Sequence, residues 1–113
     1  MNIPTNLEEC FLALKEELTE TQLSVFKEIN VETSLSSFHH TLGRRLRNQW
    51  KLWEDSQLNT YFRKMGLFHA DDMSGLILTS FSRHLRDVPL EIETQVKNYQ
   101  EFWKKPAQKY IAI

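Results

Sequence analysis

The chain has 113 residues and a net charge of −1, and it is 41% apolar and 26% charged, close to the averages for globular proteins. This composition argues against a disordered or fibrous chain, and the length is that of one domain with one core. Three glycines and three prolines are too few for the many hairpins of a sheet protein. Helices are therefore favoured.

The chain has no pattern typical of secretion or of membrane insertion. Its one cysteine, Cys10, cannot form an internal disulfide, and the first residues lack a basic segment followed by an apolar one. No apolar run approaches the roughly 18 residues of a spanning helix. We therefore expect a cytoplasmic protein that does not engage a membrane.

The first 30 residues have the pattern of a helical hairpin. Residues 5–8, TNLE, offer an N-cap followed by a glutamate, and apolar residues at helical spacing then predict a helix near 6–18. Thr19 and Gln22 repeat the capping pattern and predict a second helix that ends near Asn30. Residues 31–37, VETSLSS, lack periodicity and read as a linker.

Residues 38–53 predict a helix with one apolar and one basic side. The apolar positions recur every three or four residues: Phe38, Leu42, Leu46, Trp50 and Trp53. The basic side carries His40, Arg44, Arg47 and Lys51. We expect Trp50 and Trp53 to pack in the core or between helices, as aromatic residues at helical spacing usually do.

Capping signals place two further helices. Asp55 or Ser56 begins a short helix, and Gly66 stands where a left-handed residue ends it. Asp71 and Asp72 are expected as N-cap and first-turn charge of a longer helix that runs to about Arg86.

The apolar positions after Pro89 predict a last helix that Pro106 must terminate, so that residues 106–113 form a tail. Phe102 and Trp103 are interpreted as packing residues, with a patch that faces a partner as the alternative. The fold class is thus all-α, a compact single-domain bundle of about six helices.

A metal site is one interpretation of the imidazole and carboxylate groups concentrated between residues 39 and 72. His39, His40 and His69 with Asp71 and Asp72 are donors that divalent metals take. Adjacent histidines point about 100° apart on a helix, and no histidine pair has i, i+4 spacing. Helix capping is the favoured role of the aspartates, and we expect no metal and no cofactor.

The basic segment also has the residue types of a nucleic-acid reader. Candidate contacts are His40, Arg44, Arg45, Arg47 and Lys51. The isoelectric point near 6.4 and the acidic residues flanking this segment argue against it. As an alternative, Arg47 pairs with Asp71 or Asp72 inside the protein, and Asn48 ties down a loop.

Three sequence elements resemble a family of small bacterial domains of unknown function. They are His39-x3-Gly43-x3-Arg47-Asn48-x-Trp50-x-Leu52-Trp53, Leu58-x3-Phe62-x3-Gly66, and His69-Ala70-Asp71-Asp72-Met73-Ser74. The likeness covers about 38–86 and more loosely 88–104. It implies a domain type and a bacterial or phage setting, and it transfers no catalytic residue. Residues 38–105 are then a family-like core of one domain, 1–113, with 1–30 as its lead-in.

The sequence lacks a coherent catalytic constellation, so the leading hypothesis is a non-enzymatic domain that binds or regulates another protein, or a second copy of itself. Nucleic-acid binding through 38–53 is the alternative, and a metal-dependent hydrolase is the third. Any site is expected where helix 38–53 meets the start of the helix at Asp71. Its candidate residues are His39, His40, Arg44, Arg47, Asn48, Trp50, Trp53, His69, Asp71 and Asp72.

Overall fold

A computed structural model describes residues 3–28 and 39–111, with side chains described for 3–28 and 40–104. Within these residues the fold is all-α, with six helices and no strand, which confirms the predicted class. The helices are α1 (Leu7–Glu17), α2 (Glu20–Glu28), α3 (Arg44–Gln49), α4 (Gln57–Met65), α5 (Ala70–Leu85) and α6 (Ile92–Ile111). A π-helical turn, His39–Gly43, leads directly into α3. No helix in the described part is long and apolar enough to cross a membrane.

Helix α5 is the centre of the fold. Every other described element packs against it, and its residues from Asp72 to Ser82 are all buried. A helix surrounded in this way must be apolar or small on every side. Two of its serines bond to neighbouring elements: Ser82 Oγ donates to the Phe26 carbonyl at 3.0 Å, and Ser80 Oγ accepts from Gln95 Nε2 at 3.0 Å.

The two helices predicted for the N-terminal segment are present within the residues described up to 28. Asn6 caps α1 by accepting the N–H of Glu9 at 2.9 Å. At the start of α2, the N–H of Gln22 donates to Thr19 Oγ1, and the N–H of Thr19 donates to Gln22 Oε1, which is the reciprocal capping pattern expected from the sequence. The predicted end at Asn30 and the linker 31–37 lie outside the described residues.

The limits of α4 and α5 also agree with their capping signals. Ser56 caps α4 by accepting the N–H of Asn59, and Gly66 has the predicted left-handed conformation with φ 107°. Helix α5 ends at Leu85 with Arg86 as its C-cap, close to the predicted end.

The expected stop at Pro106 was wrong, because α6 continues to Ile111. Proline removes one backbone N–H from a helix, but its own φ of about −65° is a helical value. The chain can therefore remain helical after losing a single hydrogen bond.

A close approach between α5 and α6 generates one prediction. A Cβ built on Gly75 would lie 2.5 Å from the hydroxyl oxygen of Tyr99 and 3.4 Å from its Cζ. We expect Gly75→Ala to lower the free energy of unfolding by about 1–3 kcal/mol, because the Tyr99 side chain or the helix that carries it must shift. In a Tyr99→Phe background the same change should be neutral or stabilising by up to ~1 kcal/mol, because alanine is the better helix former. Urea denaturation of the four proteins measures this coupling. Equal effects in both backgrounds would contradict the close contact.

The contact between α1 and α5 generates a prediction about pH. The His84 ring stacks on Phe11 at 4.7 Å, and its Nε2 lies 2.9 Å from Lys15 Nζ. Burial and then the Lys15 charge lower the pKa of His84 below its usual 6.5. The unfolded chain therefore binds this proton more readily, so stability from this group is complete above about pH 6.5 and declines below it. Melting temperatures measured from above pH 7 to about pH 5 should fall further for wild type than for His84→Gln. An equal fall in melting temperature for wild type and His84→Gln would contradict this effect of His84.

Candidate functional site

A buried guanidinium joins α3 to the first turns of α5. Arg47 is only 7% exposed; its Nη1 donates to Ser74 Oγ at 2.8 Å, and its Nε lies 3.3 Å from Asp71 Oδ1. The Ser74 hydroxyl in turn donates to the Asp71 carbonyl at 3.0 Å. The predicted internal pairing of Arg47 is confirmed, with Asp71 as its carboxylate.

The chain leaves the helix after Gln49 and turns sharply at Lys51, so the predicted helix to residue 53 was wrong. Helix α3 ends at Gln49, Lys51 has φ 52°, and the N–H of Leu52 donates to the Arg47 carbonyl at 3.0 Å. Because of this turn, Leu52 packs in the core and Trp53 lies on the surface, with its ring 5.9 Å from the Arg47 guanidinium carbon. Trp50 is buried, as predicted.

Helix α6 contacts the start of α5 through Trp103. Its Nε1 donates to Asp72 Oδ2 at 2.7 Å, and its ring stacks on His69 with the ring centres 3.8 Å apart. His69 has an extended backbone and is the N-cap of α5, so that both aspartates lie in the first turn. The prediction that an aspartate would be the N-cap was therefore wrong. Burial, and next the negative charge of Asp72, raises the pKa of Tyr99 to about 12.

An open cleft lies where the turn after α3, helix α4, the start of α5 and helix α6 approach one another. Its walls include four aromatic side chains, Trp53, Phe68, His69 and Trp103, and its volume is about 260 Å³; we call it the aromatic cleft. Trp53 is 62% exposed, Phe68 59% and Trp103 47%. Phe102, 56% exposed, meets Trp103 edge to face at 5.5 Å. Trp53 and Phe102 are therefore not core residues, whereas Trp103 packs between α6 and the start of α5, as the prediction of packing between helices allowed.

Two charged side chains lie in the aromatic cleft beside these rings. The guanidinium carbon of Arg63 lies 5.5 Å from the centre of the Phe68 ring, within the range of a cation–π contact. The carboxylate of Asp71 is exposed and faces Arg47. The cleft thus combines exposed aromatic surface with a cation from α4.

The other sequence candidates lie apart from these rings. His40, Arg44 and Asn48 are exposed, and His39 begins the π-helical turn, with its side chain outside the described part. Asn48 does not have the partly buried, loop-tying position expected of it. Asn59 does, because its buried Nδ2 donates to the Leu52 carbonyl at 2.8 Å.

Sequence reasoning missed four residues that build the site: Arg63, Phe68, Asn59 and Ser74. The one sequence signal for Asn59 was its position on the apolar face of α4. An amide that is buried there must find a hydrogen-bond partner. Arg63 and Phe68 carry no local signal, because neither the cleft nor their exposure follows from helical spacing.

Two of the basic residues on which the prediction of nucleic-acid binding depends are paired within the protein. Arg47 is buried in its contacts with Asp71 and Ser74, and Arg45 donates to Glu17 at 2.9 Å, which neutralises it against the acidic N-terminal hairpin. As for a metal, no three His, Cys, Asp or Glu side chains are grouped to hold one in the described part of the chain.

The fold and site define a small all-α domain with an aromatic cleft at the start of its central helix. The chain belongs to the family described as a domain of unknown function, DUF6794, whose model matches residues 3–85. This confirms the resemblance to a family without an assigned activity. The match includes the N-terminal hairpin and ends before α6, which supplies Trp103. Comparison with curated proteins and with solved structures found no match in either.

The burial of Arg47 leads to a prediction about stability. Arg47→Ala should lower the free energy of unfolding by about 1–3 kcal/mol, through loss of a charge-assisted hydrogen bond and of side-chain packing. The melting temperature should then fall by at least about 4 °C. Arg44→Ala, on the exposed side of the same helix, is the matched control and should change it by much less. A melting temperature for Arg47→Ala within about a degree of wild type would show that the Arg47 contacts with Asp71 and Ser74 do not stabilise the fold.

Proposed function

We propose that this domain is a non-enzymatic binding module that holds a segment of another protein in the aromatic cleft. One observation carries the proposal: Trp53, Phe68 and Trp103 are each about half exposed or more around a single cleft. Exposing several large apolar side chains together is unfavourable unless a partner covers them. Tryptophan, other aromatic residues and arginine are also the side chains enriched at binding hot spots.

Each of the three rings contacts a neighbouring side chain of the domain. Trp103 is fixed by its bond to Asp72 and by the His69 ring, Trp53 lies over Arg47, and Phe68 lies beside Arg63. Rigid aromatic anchors lose little conformational entropy on binding, so more of their contact energy contributes to affinity. This arrangement supports recognition of a partner surface.

The polar groups of the cleft favour binding over catalysis. The Asp72 carboxylate accepts the Trp103 indole N–H, the His69 ring is stacked on that indole, and Asp71 pairs with Arg47. A general acid or base needs a reacting proton within hydrogen-bond reach. Here the groups with that chemistry support the aromatic rings.

A selection experiment tests this function. Short random peptides displayed on phage are selected on the immobilised domain, and the dissociation constants of the recovered peptides are measured for wild type and variants. We expect binders whose affinity falls at least about tenfold with Trp53→Ala or Trp103→Ala, the loss typical of a hot-spot residue.

Leu12→Ala is the matched control, because Leu12 on α1 is as exposed as Trp53, 62% in each case, and lies away from the cleft. It should leave the dissociation constant unchanged. Recovery of no binder, or of binders insensitive to both tryptophan changes, would contradict the proposed function.

A further inference from the structure

We propose that the partner segment is acidic as well as apolar, with a carboxylate that pairs with Arg63 beside a large apolar side chain seated in the aromatic cleft. This inference rests on the proposed function and identifies the chemistry of its ligand. Arg63 is then the residue that determines specificity, and the rings supply most of the affinity.

The charges at the cleft favour an anionic partner. Asp71, the carboxylate on its wall, lies 3.3 Å from Arg47 and is balanced by that buried guanidinium. Arg63 is exposed, and no described carboxylate lies within salt-bridge distance of it. Arg63 is therefore a cation at the cleft that has no ion-pair partner among the described residues, and complementarity favours a partner carboxylate.

The shape of the cleft suits a peptide side chain. Its volume is about 260 Å³. It is open, and three of its walls are the rings of Trp53, Phe68 and Trp103. Such a space suits one or two apolar side chains of a segment that continues past the cleft on both sides.

The position of Arg63 sets the spacing of the two recognised groups. Its guanidinium carbon lies only 5.5 Å from the Phe68 ring centre, so the carboxylate and the apolar side chain must come from nearby residues of the partner. A guanidinium stacked on a ring keeps its outward N–H groups available for a bidentate bond to a carboxylate. The expected ligand is a short segment in which Asp or Glu adjoins Trp, Phe or Leu.

The experiment uses the short random peptides selected on the wild-type domain. We expect the recovered sequences to be enriched in Asp or Glu adjacent to an aromatic residue or leucine. Arg63→Gln should weaken a selected peptide about tenfold, the effect of losing one charge-assisted hydrogen-bonded pair. Arg44→Gln, which removes an exposed arginine from α3, is the matched control and should not change the dissociation constant.

A change in the peptide tests the pair between Arg63 and the peptide carboxylate separately from the other contacts. Replacing the peptide carboxylate by its amide should weaken binding to wild type by a similar factor and have little further effect on Arg63→Gln, because the pair is already broken. Circular dichroism checks that each variant is folded.

The other outcomes separate the inference from the function on which it rests. Peptides that need Trp53 and Trp103 but lack acidic residues, or that bind Arg63→Gln equally well, would overturn the inference and leave the proposed function standing. A dimer in sedimentation experiments that Trp53→Ala dissociates would show that a second copy fills the cleft and would also overturn it. Recovery of no binder would overturn both.

Discussion

The contact between Arg47 and the start of α5 fixes the position of everything around the aromatic cleft. The Arg47 guanidinium is almost completely buried, and it bonds to Ser74 and lies against Asp71. A charge in such surroundings must keep its partners, because removing them leaves it without water to compensate. The end of α3 is therefore held at a defined place on α5, and this fixes where the turn after α3 begins.

The turn after α3 places Trp53 at the aromatic cleft. Lys51 takes a left-handed conformation, and the Leu52 N–H returns to the Arg47 carbonyl. Leu52 then enters the core, where its own carbonyl is satisfied by Asn59. Trp53 faces outward above the guanidinium. The same residue that fastens α3 to the central helix thus places one wall of the cleft, and Trp103 from α6 supplies another through Asp72.

Much of the fold was predictable because its helix limits are encoded locally. The Thr19–Gln22 capping pair, Ser56 and Gly66 each act within a few residues of their own position, so spacing alone located α2 and α4. The pairing of Arg47 with Asp71 was also predictable, since an arginine beside an apolar stripe needs a carboxylate.

The aromatic cleft was not predictable, because it depends on how distant elements meet. Trp53 and Trp103 have the helical spacing of core residues, and a surface that binds a partner uses the same residue types as a core. Lysine has no preference for the left-handed conformation that Lys51 adopts, so the turn that exposes Trp53 left no mark in the sequence. The contact of Phe68 with Arg63 is local, across the turn at Gly66, but the cleft that it lines also needs Trp53 and Trp103 from distant parts of the chain.

The exposure of the tryptophans tests this account most directly. Labelling with 5-fluorotryptophan gives fluorine resonances for Trp50, Trp53 and Trp103, each assigned by single Trp→Phe substitution, and a soluble paramagnetic agent reports how far solvent reaches each ring. We expect strong relaxation of Trp53 and Trp103 and protection of Trp50. Equal protection of Trp53 and Trp50 would show that the helix continues through residue 53, and it would contradict both the turn and the cleft built on it.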